Sequence, residues 1–175
     1  MKKILLFLMV ILLVGCSTTN TQTEKDKERL IIAGAEHFEN ASFNQFLLED
    51  LNVAYTPTFI FVKDGKIVYF DDSVMSADKF NDVLVAIDQN NVTFKDSPNN
   101  DYKIANIGKD FMMKDFIASD GLTVLEIGSV TCPYTKMQLT ECNPEIYEQH
   151  KNIQFVEYFL RNNQSEVDEF LKTIQ

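Results

Sequence analysis

The 175-residue chain has two histidines, three cysteines and six glycines, and 16 basic residues stand against 26 acidic ones. Each shortage narrows its chemistry. His37 and His150 lie far apart, and no Cys or His falls at metal-ligand spacing, so no metal is assigned. There is no P-loop and no Gly-rich dinucleotide fingerprint, and no cofactor is assigned. The net charge of −10 argues against nucleic acid as a partner. The apolar run from Ile4 to Val14 is too short to span a bilayer.

What is present begins with that run. Lys2 and Lys3 precede it and small residues follow, the layout of a secretion signal. Leu13-Val14-Gly15-Cys16 resembles the bacterial lipobox. The resemblance implies cleavage after residue 15, a lipid on Cys16, and an extracytoplasmic protein anchored to the bacterial cell membrane. Residues 16–29 are polar and without apolar period, and read as a flexible tether. With Cys16 taken by the anchor, only Cys132 and Cys142 remain for thiol chemistry, in a compartment that permits disulfides.

From Leu30 onward, apolar runs of strand length alternate with helical periodicity. "LIIAGA" is a short strand candidate, and Phe46, Leu47 and Leu51 share one helical face. "TFIFV" and "KIVYF" flank Asp64-Gly65, a hairpin signal. Ser76 is placed to cap a helix carrying Phe80, Leu84 and Ile87. An Asn- and Asp-rich linker, 89–101, separates this block from the next. There "YKIANI" is a strand candidate, "KDFMMKDFIA" a short helix and "LTVLEIG" a buried strand. A helix is expected from Pro133 to His150, interrupted at Asn143-Pro144. "NIQFVEYFL" is a further strand, and Ser165 is placed to cap the last helix. The pattern predicts an α/β chain with a mixed central sheet and flanking helices.

Within this pattern, "CPYTKM" follows a strand and opens a long helix, and Glu126 lies six residues before Cys132. "TPT" precedes the strand "TFIFV", and "FVKDGK" forms the hairpin. These features resemble the thioredoxin family, with its halves in permuted order. Residues 102–175 resemble the front half and 30–88 the back half, which carries the cis-proline loop. The strand–helix unit before that loop occurs twice, as 30–53 and 153–174. The resemblance therefore implies a circularly permuted thioredoxin-like sheet. A swapped homodimer, each chain completing the other, remains open.

The resemblance implies a site. Cys132 stands at a helix N-terminus, where amide N–H groups and the helix dipole favour the thiolate. Thr135 occupies the place of a resolving cysteine, so exchange would run through one thiol. Its hydroxyl is placed to bond the sulfur. Glu126, in an apolar strand, is the candidate proton relay. Thr56 and Pro57 form the substrate rim, with Pro133 and Tyr134 beside the sulfur. Cys142 is a candidate resolving thiol, but in an unbroken helix it sits ~15 Å from Cys132, too far for a disulfide. The expected partners are protein or small-molecule thiols and disulfides. The competing reading is a redox-inactive binding or accessory lipoprotein with the same groove.

Overall fold

The computed structural model describes residues 27, 29–36, 38–94, 100–112, 114–118 and 121–174. The expected leader 1–15, the expected anchor Cys16, most of the expected tether, and His37 lie outside the described residues.

Five short apolar runs form one mixed sheet. The strands are β1 (Leu30–Ala33), β2 (Thr58–Lys63), β3 (Lys66–Asp71), β4 (Leu122–Gly128) and β5 (Gln154–Phe159), in the order β1-β5-β4-β2-β3. β1, β5 and β4 run parallel, and β2 is antiparallel to both β4 and β3. The β2–β3 hairpin turns on Asp64 and Gly65, both at positive φ (53° and 74°). That pair of conformations suits a two-residue loop, and Asp-Gly adopts it readily.

Side chains alternate between the two faces of the sheet. On one face lies α1 (Phe38–Gln45), extended by a π-helical turn, Phe46–Asp50. Phe43, Phe46, Leu47 and Leu51 pack there against Ile60, Val62, Leu125, Ile127, Val156 and Tyr158. On the other face, α2 (Ala77–Asp88) and α5 (Asn143–Gln149) place Phe80, Val83, Ile87 and Ile146 over Phe59, Phe61, Val124 and Phe155. Ser76 caps α2, its side chain accepting from the Lys79 N–H. α6 (Gln164–Ile174) sets Val167 against Ala33 and Phe159. The α/β class with a mixed sheet and flanking helices is as the pattern predicts.

Four local expectations are corrected. Residues 102–107 are not a strand: 102–106 belong to α3 (Asn100–Asn106), and Ile107 lies in the turn after it. The outer edge of β5 is already paired with Leu30–Ala33, and Lys103 instead ties α3 to Asp72 at 2.6 Å. Among the described residues of 109–118 there is a 3-10 turn, Lys114–Phe116, and a bridge from Asp110 to Lys66, but no α-helix. Several backbone groups ahead of that turn bond to the hairpin: Gly108 N–H to Ile67 O (2.8 Å), Ile67 N–H to Lys109 O (3.0 Å) and Phe111 N–H to Gly65 O (2.8 Å).

The helix from Pro133 does not break at Asn143-Pro144. It runs as α4 (Pro133–Met137), a π-helical turn (Gln138–Cys142) and α5. Pro144 lacks an N–H, and its ring crowds the carbonyl four residues back. The wider turn accommodates this, and the Asn143 N–H bonds Gln138 O. Finally, the cap of α6 is Asn163 rather than Ser165. Its side chain accepts from the Glu166 N–H at 2.9 Å, and Glu166 Oε2 accepts from the Asn163 N–H at 2.9 Å, a reciprocal capping box.

Candidate thiol site

β4 ends at Gly128, and a turn closed by Cys132 N–H to Ser129 O (3.0 Å) leads into α4. Cys132 is the N-cap, with extended φ/ψ (−87°, 119°), and its carbonyl accepts the first helical bond from Lys136 at 3.2 Å. Pro133 follows in the first turn, where a missing N–H costs nothing.

Thr135 is buried and braces this turn. Its Oγ1 accepts from the Ser129 N–H at 3.2 Å. Its Cγ2 occupies space that only a glycine leaves free, for a Cβ on Gly128 would lie 2.8 Å from it.

The loop before β2 meets this turn. Thr58 Oγ1 donates to Tyr55 O at 2.6 Å, and the Thr56–Pro57 peptide is cis. The Cys132 thiol donates to the Thr56 carbonyl at 3.1 Å. Two residues 76 apart in sequence thus share one contact. Pro57 is buried beneath it, while Tyr55 and Tyr134 are exposed, at 61% and 59%.

Burial pushes the Cys132 thiol up. Hydrogen bonds from the Thr56 side chain, the backbone and hydroxyl of Thr135 and the Tyr134 backbone outweigh it and hold the thiol below its ordinary value. The sulfur is half-buried.

Of the expected site residues, the structure brings together Cys132, Thr135, Thr56, Pro57, Pro133 and Tyr134. Glu126 hydrogen-bonds to Asn143, and Cys142 lies further along the helical run that Cys132 opens. Cys132 and Cys142 are both free, and the continuous helical run between them keeps them apart. Burial raises the Cys142 thiol, and Glu141, Glu126 and Glu145 add to it.

Glu126 is buried and faces α5. Its Oε2 accepts from Asn143 Nδ2 at 2.7 Å. Gln138 Nε2 in turn donates to Asn143 Oδ1 (2.7 Å) and to Met75 O (2.9 Å), and its Oε1 accepts from the Met75 N–H (2.8 Å). Asn143 Nδ2 also reaches the Tyr147 hydroxyl (2.7 Å), which donates to Glu157 Oε1 at 2.6 Å. Arg29 Nη1 lies 3.6 Å from Glu157 Oε1, and its guanidinium sits 5.3 Å from the Tyr147 ring centroid. Burial and the Glu157 charge push Glu126 up to about 8, against the pull of Asn143 and Arg29.

The sequence reading missed Gln138, Tyr147, Glu157 and Arg29, and took Asn143 for a cap. Glu157 carried a usable signal: like Glu126, it is the one charged residue in a buried apolar strand, "QFVEYF". The π turn that aligns Gln138 with Asn143 has no comparable pattern in the residues.

No family model, curated protein or solved structure matches the chain. Among the described residues no group of three or more His, Cys, Asp or Glu stands together to hold a metal. No helix among them is long and apolar enough to cross a membrane.

Proposed function

We propose that the chain is a thioredoxin-like, membrane-anchored extracytoplasmic protein that exchanges with disulfides through Cys132 alone. The observation that carries this reading is the contact of the Cys132 sulfur with the Thr56 carbonyl, beside a cis-proline and at a helix N-terminus. The Cys132 thiolate attacks one sulfur of a substrate disulfide. The S–S bond breaks, a mixed disulfide forms, and the other sulfur leaves as a thiolate. Thr135 has no sulfur with which to attack that bond. A second, external thiol displaces Cys132, regenerating its thiolate and leaving a disulfide between the incoming thiol and the substrate.

Tyr55 and Tyr134, next in sequence to Thr56 and Pro133, are exposed, a surface fit for an apolar or extended peptide substrate. Lipidation of Cys16 and the permuted order of the thioredoxin-like halves belong to the same proposal.

The test is the rate of alkylation of Cys132 against pH in a Cys142→Ser chain, alongside turnover of a mixed disulfide with an added small-molecule thiol. A thiol pKa below ~7.5 with turnover supports exchange. A value near ~8.5 without turnover would reduce the site to a redox-inactive binding groove.

A further inference from the structure

Two carboxyls that the exchange chemistry does not use carry the inference. β4 and β5 run parallel with Glu126 opposite Glu157, so both side chains rise from one face of the sheet. In the same row stand Phe59 on β2 and Ile31 on β1, so beyond each other the row offers the two carboxyls no charge and no side-chain donor. Both glutamates are buried, at 5% and 2% exposure. Each has one oxygen engaged, Glu126 Oε2 by Asn143 and Glu157 Oε1 by Tyr147, with Arg29 near the latter. The remaining two, Glu126 Oε1 and Glu157 Oε2, are buried and have no hydrogen-bond partner among the described residues.

An unpaired buried carboxylate oxygen is costly, and two adjacent carboxylates repel. A single proton answers both problems, because a protonated carboxyl donates where a carboxylate only accepts. We propose that Glu126 and Glu157 form a carboxyl–carboxylate pair that holds one proton between Glu126 Oε1 and Glu157 Oε2. It is a proton-binding site buried beneath the helix that begins at Cys132.

The groups facing the pair agree with a charge of one rather than two. Arg29, from the segment before β1, is the one cation among the described residues that acts on both carboxyls. Tyr147, from α5, is held neutral by burial and by the two glutamates. Cys142, on the π turn, is held in its neutral form by burial and by Glu141, Glu126 and Glu145. Arg29 and Tyr147 also line a surface cavity of about 420 Å³. Glu126 releases its proton at about 8, so the site exchanges in the range where thiols also do. The inference rests on the pair alone and stands whether or not Cys132 reacts.

The experiment is a carboxyl carbon NMR titration of glutamate-labelled protein, from about pH 4 to 10, on the wild type, Glu126→Gln and Glu157→Gln. The two resonances lost in the respective variants identify the pair. In the wild type both should move together through one shared step above the ordinary carboxyl range. Glu157→Gln should lower the step seen at Glu126 by at least about one pH unit, a tenfold change in proton affinity. Separate steps, each unmoved by replacing the other residue, would overturn the proposal. So would completion of both titrations in the ordinary range. Near-UV circular dichroism checks that the variants fold. If neither does, shared or separate movement in the wild-type titration, with each resonance assigned through its backbone, decides the matter.

Discussion

Replacing Glu126 with glutamine should stabilise the chain, and increasingly so as the pH rises from 5 to 8. The folded chain keeps a proton on Glu126 up to about 8, while the unfolded chain releases it near the ordinary 4.5. A raised folded value means that this group's stabilising contribution is complete below the unfolded value. It is lost as pH climbs through the folded one. Between those limits the folded state binds more protons than the unfolded state, and stability falls by about 1 kcal/mol per pH unit. Over the window the loss is a few kcal/mol. Glutamine has nearly the same shape and no charge to desolvate. Its carbonyl can accept from Asn143 Nδ2, and its amide can donate to Glu157 Oε2 in place of the shared proton.

Urea titrations at four pH values test this. With an m-value of ~1–3 kcal/mol/M, the wild-type midpoint should drop by ~0.3–1 M per pH unit relative to Glu126→Gln. Taking the difference between the two proteins cancels the many exposed acids, which both share. A parallel Glu148→Gln chain, altered at an exposed glutamate, should track the wild type. A difference between Glu126→Gln and wild type that stays constant from pH 5 to 8 would refute the reasoning, because Glu126 would then titrate alike in folded and unfolded chains.

Three further outcomes follow from the same geometry. Gly128→Ala should cost ~1–3 kcal/mol in thermal or urea unfolding, because its Cβ would press within 2.8 Å of Thr135 Cγ2. It should also slow Cys132 alkylation by shifting Thr135 away from the sulfur. Gln138→Ala should cost ~2–4 kcal/mol, since it strands both backbone groups of Met75 and one side of Asn143 in a buried site. The conservative Gln138→Glu should not rescue it, because a carboxylate cannot donate to Met75 O. Peptide mapping of the oxidised chain under non-reducing conditions should find no Cys132–Cys142 disulfide, as both thiols are free on one continuous helical run.

How far the sequence revealed this arrangement depends on the range of the interactions involved. The hairpin was readable because Asp64-Gly65 fixes its own turn. β4 and β5 were readable because a buried strand is a continuous apolar run whatever its neighbours. Residues 102–107 failed because a short stretch with alternating apolar residues fits either element, and the choice was made elsewhere. Leu30–Ala33 took the open edge of β5, and Asp72 offered Lys103 a partner. The meeting of Cys132 with Thr56 came from a family resemblance, not from any local period, since 76 residues separate them.

The buried polar network was hidden for a related reason. Gln138 and Asn143 lie five apart, a spacing that shares a face only where the helix opens into a π turn. Glu126 and Glu157 become neighbours only through strand register. Each buried glutamate alone looks like an isolated charge in an apolar strand. Only side by side do they become a site, because the repulsion that makes each one costly is also what gives a shared proton its place.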